Sequence, residues 1–331
     1  LPANNAAKPA SNAAAMRRWL GMAETVLANH SDRLNAINIF PVPDGDTGTN
    51  LYLTARAASE AAAECDSSDL GTVIGAAGHA AMEEARGNSG TLFAVFLDAF
   101  AVPLAGQPRL SGPLLAEALH RSRIRAWSAL SEPVEGTMLS VLAAAADAAA
   151  DANSGMDANA DKPHSNAALA RTLDAVVDAA VAAVVDTEGQ LPSLHDANVV
   201  DAGAVGLLLV LGALRAAVLG VGLAEPIVDA LHGFDVQDPH IHAEQPAAQG
   251  VELMCTITLS PLDAAGLRHR LDELGESVIM SPLGPLDEDS GCVRWRVHVH
   301  VREPEDALAE IRRLGEPERI SLTELRPDHA S

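Results

Sequence analysis

The stretch "FPVPDGDTGTN", Phe40 to Asn50, interrupts a chain that is otherwise alanine-rich and helical in pattern. It holds two prolines, two glycines, two aspartates and two threonines. A turn needs one glycine or one aspartate. It does not need Asp44 and Asp46 one residue apart, followed at once by Thr47, Thr49 and Asn50 at the opening of a helix.

Outward from this stretch, helical periodicity and its punctuation predict eight helices before about residue 224. They cover Ala13–Asn29, Gly48–Glu64, Asp69–Ala85, Ser89–Val102, Ser111–Leu130, Thr137–Asp151, Asn166–Asp186 and Ala202–Leu219. "DANSGMDANADKPHS", between the sixth and seventh, reads as a polar, mobile loop. The expected fold class is mainly α, an eight-helix antiparallel up-and-down barrel or bundle, with a second, smaller α+β domain. Its division is 1–224 for the helical domain, 225–245 for a linker rich in Pro, His and Asp, and 246–331 for the α+β domain. In the latter, "VELMCTITL" and "CVRWRVHVHV" alternate as half-buried strands do. "PLDAAGLRHRLDELGE" and "EPEDALAEIRRLGE" read as amphipathic helices, and "RISLTEL" as a closing strand.

Polar, glycine-bearing motifs precede the second, fourth, sixth and eighth helices: "DGDTGTN", "GNSG", "EGT" and "VVDAG". In an up-and-down array, alternate helices start at the same end. These motifs therefore converge on one rim, each at a helix N-terminus whose free N–H groups and dipole attract anions. Asp44 and Asp46 would repel a polyanion such as a nucleoside triphosphate unless a cation stands between, and Mg²⁺ suits a carboxylate-and-phosphate shell. An EF-hand does not fit, because the twelfth position from Asp44 is Ala55. No Walker A lysine motif occurs, and the chain has only two lysines, Lys8 and Lys162.

The 331 residues are 48% hydrophobic but only 3% aromatic, and the net charge is −23. That charge argues against nucleic acid and against an anionic membrane surface as partners. Val199–Leu223 is long enough to span a bilayer, but Asp201, Arg215 and recurrent glycine mark it as a buried core helix, so no integral membrane segment is expected. Three dispersed cysteines and a start without a signal peptide fit a reducing, cytoplasmic location. The absent initiator Met fits a trimmed chain.

"LNAINIFPVPDGDTGTN", "ARGNSG", "EGTML" and "VVDAGAVGL", in this order and spacing, closely resemble the fatty acid kinase catalytic subunit family, over roughly residues 16–222. The N-terminal part is similar to the nucleotide-binding L subunit of dihydroxyacetone kinases. The resemblance implies a barrel of eight antiparallel helices with Mg-ATP (or ADP) at one end. Asp44 and Asp46 would be the catalytic metal ligands, with Asn38 near the place of a third carboxylate in dihydroxyacetone kinases. Thr47, Gly48, Thr49, Asn50, Asn88, Ser89 and Gly90 would meet phosphates. Gly136, Thr137 and Met138 would line the nucleotide pocket, and Asp201, Ala202 and Gly203 would close over it.

The second domain resembles the family's middle domain less closely. It suggests Cys255, His298 and His300 as a metal or functional set, with Zn²⁺ as a candidate; Cys255 also reads as a small core residue in phase with Val251, Leu253 and Ile257. The family's Glu after its Cys-Thr pair is Ile257 here, and the family's C-terminal domain has no counterpart before Ser331. The implied activity is phosphorylation of a fatty acid carboxylate presented by a separate fatty-acid-binding protein, in a homodimer joined through the middle domain. A dihydroxyacetone-type kinase and a nucleotide-bound regulatory module without turnover are the alternatives.

Overall fold

The computed structural model describes residues 10–154, 162–222, 231, 234 and 250–325. The predicted linker lies outside these residues except at Leu231 and Phe234, as do residues 155–161 of the polar loop. Eight long helices form the first unit: α1 (Ala13–Ala36), α2 (Thr47–Glu64), α3 (Leu70–Glu84), α4 (Gly87–Ala101), α5 (Gly112–Ala129), α6 (Met138–Ser154), α7 (Asn166–Gln190) and α9 (Ala202–Leu219). A short α8 (Pro192–Ala197) precedes the last of them. Each long helix packs on the next, and α9 packs on both α7 and α1, so the up-and-down array closes into a barrel.

Alanine on the inner faces lets these helices approach closely, and a few large side chains fill the middle. Trp19 of α1 is fully buried against Phe96 and Phe100 of α4, with ring centroids 6.4 and 5.3 Å away. Its indole N–H donates to the Val210 carbonyl of α9 at 2.9 Å, which ties three helices together. Asn12, Asp69, Ser165 and Asp201 act as N-caps, each side chain accepting from a backbone N–H three residues on. The segment Gly87–Leu104 and α9 are long and apolar enough to cross a membrane, but most of each is buried among the other helices.

Two features of this unit differ from the expected pattern. Helix α1 continues past Asn29 to Ala36, because His30 and Leu34 extend its buried stripe through a polar stretch. Helix α8 is an addition to the expected eight; it ends at Asn198 in the left-handed conformation, φ 57°.

The second unit comprises β1 (Val251–Leu259), α10 (Pro261–Leu274), β2 (Gly275–Pro282), β3 (Val293–Val301), α11 (Pro304–Leu314) and β4 (Glu318–Glu324). The antiparallel sheet has the order β2-β3-β1-β4. Strand β2 is absent from the expected pattern: α10 stops at Leu274 and the chain passes directly into the strand. Leu253, Cys255, Ile257, Val297 and Val299 form one sheet face and pack with Leu267, Leu271, Ala307 and Ile311 of the two helices. The other face turns to the barrel rim. Leu130 bridges to Ile279, Ser131 N–H donates to the Val278 carbonyl at 3.2 Å, and Arg268 reaches the carbonyls of Ser128 and Ala129.

The loop after α1 is held by a close approach at Gly48. A Cβ there would stand 2.2 Å from the Ser31 carbonyl oxygen. Gly48→Ala should therefore cost about 1–3 kcal/mol of stability. Gly189→Ala, where nothing lies within 4 Å, should be neutral or slightly stabilising. Urea denaturation followed by circular dichroism checks both signs.

Candidate phosphate and cation site

A cavity of about 370 Å³ opens where α2, α4, α6 and α9 begin. Thr47, Asn88, Ser89, Thr137, Met138, Asp201 and Gly203 line it from the barrel. The alternation of helix direction thus brings together residues far apart in the chain. Leu92, Leu130, Val134 and Phe40 add an apolar wall, and Asp272 and Gly275–Val278 of the sheet unit face them. The sequence gives no sign that these sheet-unit residues belong to a site, because nothing in it marks β2 as a strand.

An adjoining cleft holds Asn38, Asp44, Asp46, Asn88 and Ser89 together with Glu252 and His300. Asn38 Nδ2 donates to Asp44 Oδ1 at 2.6 Å. Burial pushes the Asp44 carboxyl up to about 8, and the neighbouring Asp46 charge adds to that shift. Asp46 is also raised, by burial and by Glu252 across the cleft, against the Asn50 amide. Two desolvated carboxylates this close are poorly stable as an ionised pair without a cation. The donor set of hard oxygens fits Mg²⁺, with Asn38 serving Asp44 as a hydrogen-bond donor in this arrangement. The buried Nδ2 of Asn50 and Oδ1 of Asn88 have no hydrogen-bond partner, so polar capacity remains around the cleft.

Other sequence-predicted residues take supporting places. Gly48 and Thr49 are not in either cavity: their N–H groups donate to Asn35 Oδ1 of α1 at 2.8 and 3.1 Å. The longer α1 supplies this partner, so those two amides are occupied. Gly90 is buried against α2, where an added Cβ would meet Thr54 Oγ1 at 2.6 Å. Gly136 turns the chain at φ 82° and donates its N–H to Ser140 Oγ. Ala202 is buried behind the cavity wall. Asp201 caps α9, accepting from Ala204 N–H at 2.7 Å, and burial pushes its carboxyl up to about 7 despite that bond.

Residues His298 and His300 do lie together, ring centroids 4.9 Å apart, but Cys255 does not join them. Cys255 pairs with Val297 on the core face, and burial pushes its thiol up to about 12. Because side chains alternate along β1, Glu252 takes the place beside the histidines. Ligand atoms of Glu252, His298 and His300 lie within 4.8 Å of one another. A carboxylate and two imidazoles suit Zn²⁺ in kind. Here, however, Glu252 Oε1 lies 2.9 Å from His298 Nε2 and accepts from Gly87 N–H at 2.8 Å. Burial alone would raise Glu252; the His298 hydrogen bond, the histidine charges and the Gly87 N–H outweigh it and hold the carboxyl low. His300 is pushed down to about 3 by burial and by His298. The signal for Glu252 was its phase: it shares the polar alternation of the strand opposite to Val251 and Leu253.

A closed helical barrel carrying a phosphate-and-cation rim, capped by a sheet unit, defines a two-part protein built to hold a charged ligand between its parts. The chain belongs to the DAK2 domain family, whose family model matches residues 41–216. Residues 249–331 match a second model, the middle domain of the FakA-like fatty acid kinase proteins. The chain is similar to protein YloV of Bacillus subtilis, 28% identical over 315 residues, covering 92% of this chain and 54% of that one. A Staphylococcus saprophyticus protein, SSP1546, is 26% identical over 318 residues, with 92% and 53% covered. The chain thus spans about half the length of these relatives. A crystal structure of the dihydroxyacetone kinase from C. freundii in complex with AMP-PNP and Mg²⁺ is similar at a TM-score of 0.45 and 22% identity, covering 65% of this chain and 36% of that chain.

The raised Asp201 has a consequence for stability. It binds its proton more tightly folded than unfolded, so its contribution is full below about pH 4 and is lost as pH rises towards about 7. Asp201→Asn keeps a capping oxygen but cannot ionise. Its melting temperature should fall less than that of the wild type between about pH 4 and about pH 7. Parallel declines in calorimetric scans across that range would contradict the assignment.

Proposed function

We propose that this chain is a kinase that transfers the γ-phosphoryl group of Mg-ATP to the carboxylate of a fatty acid, presented by a separate lipid-binding protein, to give an acyl phosphate. The observation that carries this reading is the meeting of four helix N-termini with the buried Asp44–Asp46 pair at one rim. Membership of the DAK2 domain family supports a kinase, and the match of the second unit to a fatty acid kinase middle domain supports the acceptor class.

In this reading Thr47, Asn88 and Ser89 receive the phosphates, and Leu92, Val134 and Met138 receive the apolar part of the nucleotide. Asp44 and Asp46 would hold Mg²⁺, which when bound neutralises phosphate charge and orients the triphosphate. A carboxylate oxygen forms the bond to the γ-phosphorus, and the bond from that phosphorus to the β–γ bridging oxygen breaks, its electron pair leaving with ADP. A carboxylate acceptor is already ionised at neutral pH and needs no general base. That suits this site, where His300 is held too weakly basic to take a proton from a hydroxyl at neutral pH.

The remaining assignments rest on the same reading. Free Cys65, Cys255 and Cys292 are compatible with a reducing cytoplasm. The exposed strand β4, with Ile320 and Leu322 open, supports pairing of the sheet unit with a second copy as a homodimer.

Asp44→Asn should lower phosphoryl transfer by at least roughly a hundredfold. Its helical circular dichroism should stay unchanged. The assay measures ATP consumption with a fatty acid loaded on a lipid-binding protein, beside calorimetric titration of Mg-ADP. Retained turnover in the variant would refute the metal assignment. Tight nucleotide binding without consumption by any acceptor would leave a regulatory module in place of a kinase.

A further inference from the structure

The sheet face that meets the barrel carries more than the Glu252–histidine cluster. Arg296 of β3 lies on the same face, and a second cavity of about 160 Å³ opens beside it, between the sheet and the corner joining α3 to α4. Met254, Ser321 and Thr323 of the sheet, with Ala85 and Arg86 of the corner, contribute to its walls. Glu252 and Thr323 belong both to this cavity and to the cleft of Asp44 and Asp46, so the two spaces are neighbours across one partition.

Arg296 is only 6% exposed, and among the described residues no carboxylate stands within ion-pair distance of it. Its guanidinium makes only long contacts, to the Ala85 carbonyl at 3.3 Å, Thr256 Oγ1 at 3.4 Å and Met254 Sδ at 4.0 Å, and Nε has no partner. The other arginines of this face are engaged: Arg294 and Arg319 both pair with Glu83, and Arg319 also with Glu84. A guanidinium does not give up its proton at neutral pH, so burying it unpaired is costly. The arrangement is relieved by an anion from outside, and a planar carboxylate matches the guanidinium fork best. The cavity has room for a carboxylate and its first methylenes, and is small for a nucleotide.

We infer that Arg296 is the binding residue for the acceptor carboxylate, holding it in the small cavity beside the phosphate cleft. This rests on the kinase reading for the identity of the acceptor, but not for the existence of the anion site. The hydroxyls of Ser321 and Thr323 are placed to complete the shell, and Met254 meets the first methylenes. Arg296 thereby does for the acceptor what the barrel rim does for the triphosphate.

The test uses the full chain and octanoate labelled with ¹³C at the carboxyl carbon. Wild type should shift and broaden that resonance saturably. Arg296→Gln should weaken binding at least tenfold, and Arg296→Lys should retain part of it, which also covers the case in which the glutamine variant fails to fold. Inorganic phosphate is the competing arm: if it displaces octanoate at lower concentration, the site is a phosphate site and the carboxylate assignment is overturned. Wild-type octanoate binding by Arg296→Gln overturns it equally. Mg-ADP titrated into the same samples separates the two readings. Nucleotide binding without octanoate binding removes the Arg296 site alone, whereas octanoate binding through Arg296 without nucleotide binding removes the kinase reading and leaves the anion site standing. In the coupled assay, Arg296→Gln should raise the KM for acceptor and leave the KM for ATP unchanged.

Discussion

Two carboxylates, Asp44 and Asp46, are buried next to each other at the mouth of a helical barrel, and both are held above the usual carboxylate range. Folding alone gains nothing from that pairing, since both burial and mutual repulsion oppose ionisation. The barrel nevertheless builds towards it. Asn38 steadies Asp44, Asn35 at the end of the long α1 fixes the first turn of α2, and Gly48 lets that turn sit against the α1 backbone. Such a concentration of unfavourable charge marks a place designed around a cation and the phosphates it brings.

The sheet unit is part of the same electrostatic arrangement. Glu252 crosses from β1 to accept the Gly87 N–H, the first amide of α4, and lies against His298. The start of the helix that offers Asn88 and Ser89 is thus joined directly to the histidine pair. Residues 275–278 of β2 wall the larger cavity from the opposite side. A ligand filling that cavity would touch both units, so its binding and their docking are linked.

Much of the barrel was legible because each long helix keeps its apolar period and shows a cap or glycine at its start. Where that signal weakened, the boundaries shifted. The polar run Asn29–Asp32 hid the last turns of α1, although His30 and Leu34 carry the buried stripe through it. Strand β2 was hidden because α10 leads into it without a turn, leaving no punctuation to read. In β1 the strand pattern was clear, but the partner of the histidines was not. Cys255 drew attention by its chemistry, while Glu252 held the correct phase.

The sequence by itself determined the up-and-down helical architecture and the convergence of four polar motifs on one rim, because helix direction alternates whenever short loops join long helices. It also carried the charged turn of Asp44 and Asp46. Only the tertiary structure decided that Gly48 and Thr49 turn their amides to Asn35, that Glu252 joins His298 and His300, and that Arg296 is buried without a counter-ion. The last two outcomes depend on how the sheet unit docks on the barrel, through contacts between residues more than a hundred positions apart, which no local period or spacing encodes.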